Sequence, residues 1–123
     1  MAVILLIDDD DQYRATVKEL LEFEGYRVLD AQDGRTGIRL YRENKVDLVI
    51  TDIIMPGQEG IETIQALKML SPEVKVIAIS GGGQIDPDIY LKLAKGTGAV
   101  RTFSKPFQRE KLLEVIHELL SDQ

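Results

Sequence analysis

The chain has 123 residues, a hydrophobic fraction of 44% and a formal net charge of −6, which fits one folded domain over residues 1–123 with a single core and no length for a second. The negative balance repels phosphate backbones, so no direct nucleic-acid binding by this domain is expected. No run approaches the roughly 18 apolar residues of a membrane span, the start MAVILLIDD lacks the features of a secretory signal, and the absence of cysteine removes disulfides and thiolate chemistry, so a cytoplasmic setting away from membranes is the expectation.

The elements follow in order. VILLI, ending at Ile7, reads as a strand, and Tyr13, Val17, Leu20, Leu21 and Glu24 trace a helical stripe that Gly25 is placed to stop. YRVLDA around Val28 is the second strand, Asp33 can cap the second helix, and DLVIT, ending at Thr51, is the third strand. A third helix is expected near Ile61 to Leu70, then the strand KVIAIS ending at Ser80. Asp86-Pro87 suits an N-cap with proline at the first helical position, for a helix running to Lys95. The short strand VRTFS ends at Ser104, and Leu112, Leu113, Ile116, Leu119 and Leu120 mark the last helix. Val- and Ile-rich runs without alternation suit strands buried on both faces, so five strands alternating with five helices give a parallel sheet in a three-layer α/β sandwich with right-handed crossovers.

In such sheets ligands sit beyond the carboxyl ends of the strands. The first strand ends in LLIDDDDQYR, four carboxylates from Asp8 to Asp11. Repulsion within the run leaves two readings: a solvated turn that caps the next helix, or a site for a divalent cation. The third strand ends in Asp52, the fourth in Ser80 and the fifth in Lys105. Singly, each suits a cap, a turn or a surface position. Together they put three carboxylates, a hydroxyl and an ammonium at one sheet edge, which is destabilising unless a cation neutralises it. Hard oxygen ligands without His or Cys favour Mg²⁺, and a lysine suits a phosphate. Relief of repulsion in Asp52→Ala or Asp9→Ala is therefore expected to stabilise the metal-free fold.

LLIDDDD, DLVITDIIMPGQEG, VIAISG and FSKPF, in this order and spacing, resemble the motifs of response-regulator receiver domains of two-component signalling, over essentially the whole chain. The resemblance implies a flavodoxin-like (βα)5 sandwich with strand order 2-1-3-4-5. It implies Asp52 as phosphoryl acceptor, with Mg²⁺ held by Asp9, by Asp8 through water, by Asp52 and by the backbone carbonyl of Ile54. Ser80 would hydrogen-bond the phosphoryl group, Lys105 would pair with it, and Pro106 resembles the family's cis-proline. A sensor histidine kinase, a phosphotransfer protein or a small acyl phosphate would be the donor. A downstream protein or a covalently attached output domain would read the change, through a surface of the helix near 87–95, the fifth strand and the last helix, where Tyr90 and Phe107 stand.

Two positions depart from the family's usual pattern. Thr102 occupies the place where an aromatic often switches, with Phe103 beside it on the opposite face of the strand. The stretch after Ser80 opens with Gly81, Gly82 and Gly83, which suit either a mobile loop or a tight turn. Ile54 and Gly82, two beyond the acceptor and two beyond the serine, offer no side chain to orient a water, so slow dephosphorylation is the expectation. The rival reading is a haloacid-dehalogenase-like phosphatase, for which Asp8 and Asp10 would supply the D-x-D pair. Gln12 stands in that motif's Thr or Val position, and no acidic pair follows Lys105 at a suitable strand end.

Overall fold

Each apolar run becomes a strand ending within one residue of the expected place. The computed structural model describes residues 1–53, 59–80, 98–105 and 108–121, with Glu59 and Ser104 described by their backbone alone. In chain order these form β1 (Val3–Ile7), α1 (Asp11–Phe23), β2 (Arg27–Ala31), α2 (Gly34–Glu43), β3 (Leu48–Asp52), α3 (Glu59–Leu70), β4 (Val76–Ser80), β5 (Arg101–Ser104) and α4 (Arg109–Ser121). The helix expected at 87–95 lies outside the described residues, so α4 is the last of the expected helices. The strands are parallel, in the order β2-β1-β3-β4-β5.

Strand alternation divides the core in two. Leu5, Ile7, Val49, Val76 and Ala78 face one side, with Ile64 and Leu67 of α3, while Ile4, Leu6, Leu48, Ile50, Ile77 and Ile79 face the other, against Val17 and Leu21 of α1 and Leu112, Ile116 and Leu119 of α4. Both faces of β3 and β4 are covered, and every residue of these two strands is buried. That is why their sequences run apolar without alternation. Among the described residues no helix is long and apolar enough to cross a membrane.

The punctuation residues act where expected. Asp33 caps α2, its side chain accepting from the Thr36 amide at 2.7 Å, and Gly25 takes a φ of 95° just after α1, a left-handed conformation that favours glycine. The strand order reverses on either side of β1, so the carboxyl ends of β1 and β3 form the crevice where ligands bind in open α/β sheets.

Arg14 ties the entrance of α1 to this edge. Its Nη1 donates to the Asp8 carbonyl at 2.7 Å, its Nε to Asp30 at 2.9 Å, and its Nη2 pairs with Asp11 at 2.8 Å; Lys18 reaches the other Asp30 oxygen at 3.2 Å. Burial alone would push the Asp30 carboxyl up, but hydrogen bonds from Arg14 and Lys18, with their charges, hold it below the ordinary 3.8. A lowered folded-state pKa contributes stability that is fully present above the unfolded value and is lost as pH falls through the folded one. Asp30→Asn should therefore cost about 1 kcal/mol at neutral pH, and the difference should shrink to nothing as pH falls below 3.8. Denaturant melts of both proteins at several pH values check this; a pH-independent difference would count against it.

Candidate functional site

Asp8 follows the last residue of β1 and Asp52 closes β3. Both sit where an apolar strand delivers them, so both are buried, at 1% and 5% exposure. Ser80 closes β4 at 0% exposure, one residue beyond Ile79, which pairs in register with Asp52. Lys105 follows β5. Its amide donates to the Ser80 carbonyl at 2.6 Å, which anchors the base of its side chain at the end of β4.

From there the ammonium crosses the sheet edge. Lys105 Nζ lies 3.1 Å from Asp8 Oδ2 and 3.1 Å from Asp52 Oδ2, bridging the two buried carboxylates. The other Asp8 oxygen accepts from the Asp10 amide at 2.9 Å. Burial tends to strip the proton from Lys105, but the charges of Asp52 and Asp8 outweigh it and raise its pKa, so the ammonium is retained at neutral pH. Asp9 is the exposed member of the group; partial burial first, and then the charge of Asp8, raise its pKa above 3.8. The bridge offsets part of the repulsion that the sequence leads one to expect, since one ammonium faces two buried carboxylates and net negative charge remains on the cluster. The expected gain in stability on removing a carboxylate is therefore smaller for Asp52 than for Asp9, for which no ion pair is found among the described residues.

The cluster also suits a small divalent cation. One carboxylate oxygen from each of Asp8, Asp9 and Asp52 lies within 4.8 Å of the others. Oxygens around octahedral Mg²⁺ stand about 2.1 Å from the ion, hence at most about 4.2 Å apart. The three carboxylates are within a small adjustment of that spacing, and all are hard donors.

One further polar group is left over. The Ser80 hydroxyl is buried, and among the described residues its Oγ has no hydrogen-bond partner. Such an atom costs about 1–3 kcal/mol if nothing satisfies it.

The structure thus brings together Asp8, Asp9, Asp52, Ser80 and Lys105. Thr102 pairs with Ala78, two residues inside the strand end, and Phe103 packs with the core on the α1 and α4 face. Ile54, the glycines from Gly81 to Gly83, Tyr90, Pro106 and Phe107 lie outside the described residues. Asp10 and Asp11 start α1, as expected: the Asp10 side chain accepts from the Tyr13 amide at 3.0 Å, and Asp11 stands in the first turn. The cap gives Asp10 a structural role at the start of α1. Two residues of this edge escape a sequence reading. Arg14 is one of many charges, and Tyr13 is absorbed into the apolar stripe of α1, yet its ring centroid lies 3.9 Å from Lys105 Nζ.

Comparison with known proteins agrees with this geometry. The model of the response regulator receiver domain matches residues 4–117. The chain is 34% identical over 120 residues to the transcriptional regulatory protein CpxR of Escherichia coli K12, covering 98% of this chain and 50% of that protein, so it spans about half that relative's length. It is 33% identical to the chemotaxis protein CheY of Bacillus subtilis, covering 96% and 97% of the two chains. A response regulator receiver domain protein from Clostridium thermocellum superposes with a TM-score of 0.89 at 32% identity, covering 99% and 96%. These matches support the receiver-domain reading and give no support to the phosphatase alternative.

Proposed function

Because the chain belongs to the response-regulator receiver domain family, we propose that it is a phosphoacceptor switch in which Asp52 takes a phosphoryl group from a phosphohistidine or an acyl phosphate. The observation that carries this reading is the buried Asp52 carboxylate held 3.1 Å from the Lys105 ammonium, beside a strand that ends in the buried Ser80 hydroxyl, for which no hydrogen-bond partner is found among the described residues. An acceptor carboxylate, a positive charge and a hydroxyl then stand at the ends of neighbouring strands.

In the reaction an Asp52 oxygen attacks phosphorus, a new O–P bond forms, and the bond from phosphorus to the donor's nitrogen or oxygen breaks. Asp8, Asp9 and Asp52 would hold Mg²⁺, which when bound supplies charge neutralisation on the phosphoryl oxygens. Lys105 carries a fixed positive charge to the same oxygens, and the Ser80 hydroxyl donates a hydrogen bond to one of them. Burial of Asp52 and Ser80 keeps these interactions out of bulk water, where they would be weaker. The added charge then shifts an equilibrium between two arrangements of the output surface. A sensor kinase or phosphotransfer protein would supply the phosphoryl group. A separate downstream protein, or an output domain attached as the greater length of CpxR suggests, would read the result.

The test is intact-mass measurement after incubation with acetyl phosphate and Mg²⁺. One phosphoryl group should be added to the unsubstituted chain and none to Asp52→Asn or to a chelator-treated sample. Labelling that survives both controls would overturn the assignment.

A further inference from the structure

Tyr13 stands at the first turn of α1, half-buried against the core on that face of the sheet, with its ring centroid 3.9 Å from Lys105 Nζ. That is well inside the distance of about 6 Å at which a cation is attracted to an aromatic face. The placement follows from the cap. Asp10 accepts from the Tyr13 amide and fixes the first turn, so Tyr13 is held on the side of α1 that faces the strand ends.

The Lys105 ammonium has two kinds of partner. Asp8 and Asp52 are the stronger, but they are also the groups whose oxygens a divalent cation and a phosphoryl group would claim. When that happens, both ion pairs weaken together, at the step where the lysine must stay in place. The ring of Tyr13 is uncharged, has no claim on the cation and is fixed by packing. We propose that Tyr13 is a positioning residue whose aromatic face holds the Lys105 ammonium over the acceptor while its carboxylate partners change. The proposal rests on the phosphoacceptor reading above and adds to it a residue specific to this chain's geometry.

Two substitutions and two readouts test it. Tyr13→Phe keeps the ring, whereas Tyr13→Leu keeps apolar packing and loses the π face. An exposed to partly desolvated cation–π contact corresponds to a roughly three- to tenfold effect on a rate. The rate of Asp52 labelling by acetyl phosphate should fall by that factor in Tyr13→Leu and return in Tyr13→Phe. Independently, in protein with isotope-labelled lysine, the Lys105 ε-methylene protons should resonate upfield of the other lysines through the ring current. That displacement should persist when Mg²⁺ is added, survive Tyr13→Phe and vanish in Tyr13→Leu. An ordinary Lys105 resonance in the unsubstituted chain, or equal slowing in both variants, would overturn the role of the ring. If the unsubstituted chain takes no label at all, the phosphoacceptor reading fails, and the resonance comparison still judges the contact. Should Tyr13→Leu not fold, the Lys105 resonance in the unsubstituted chain and in Tyr13→Phe decides.

Discussion

Replacing Lys105 by methionine should cost the metal-free protein about 3 kcal/mol, the lower end of the range for removing one partner from a buried ion pair. The substitution keeps an unbranched chain of similar size and deletes only the charge. Asp8 and Asp52, whose side chains are 2% and 5% exposed, would then face each other without the ammonium that lies 3.1 Å from each. Both side chains are buried, so their repulsion weighs on the folded state and is absent from the unfolded one. Mg²⁺ should restore more stability in this variant than it adds to the unsubstituted chain, because the cation no longer competes with the lysine for the same oxygens. Asp9→Asn is the contrasting case. It removes an exposed carboxylate whose pKa is raised by partial burial and by Asp8, so it should leave the metal-free fold as stable as before or more so, while weakening the response to Mg²⁺. Denaturant melts with and without Mg²⁺ report all of these differences. Equal metal-free midpoints for Lys105→Met and the unsubstituted chain would mean that the bridge contributes nothing, and that the carboxylates are compensated elsewhere.

Much of this edge was legible because strand ends are marked by two signals at once. In DLVITD the apolar run stops and a carboxylate follows, so both the element and the position of Asp52 at its end can be read. The same holds for Asp8 after VILLI and for Ser80 after VIAI, and parallel strands with one direction gather such residues at one edge without further assumption. What was not legible is how the gathered groups partner one another. Nothing in the spacing of Lys105 from Asp8 shows that one ammonium would bridge Asp8 and Asp52 and so offset part of the repulsion within the cluster. Tyr13 was hidden for a different reason. At helical spacing from Val17 it reads as core, and the side of the helix that packs on the sheet is also the side that reaches Lys105. Arg14 was hidden because its three partners come from three places: the end of β1, the start of α1 and β2.

Glycine at position 60 should prove indispensable to the placement of the acceptor. In an exposed helix Gly→Ala usually stabilises by up to about 1 kcal/mol; here Gly60→Ala should destabilise by about 2 kcal/mol, the middle of the range for overpacking. Gly60 is the second residue of α3 and lies against the chain leaving β3. A Cβ there would run into the Ile53 Cα and the Asp52 carbonyl oxygen, both backbone atoms. Backbone cannot rotate aside as a side chain can, so either α3 lifts from the sheet or the end of β3 shifts, and the second outcome moves the Asp52 carboxylate relative to Lys105. Gly37→Ala is the informative comparison. Its Cβ would meet only the Ile7 side chain, at Cδ1 and Cγ1, and a rotamer change there can make room. Gly37→Ala should therefore cost less than Gly60→Ala and leave Asp52 labelling by acetyl phosphate near its ordinary rate, whereas Gly60→Ala should slow labelling as well as lower the unfolding midpoint. If the two variants melted together and labelled alike, the close approach of α3 to the acceptor strand would not be what fixes the position of Asp52.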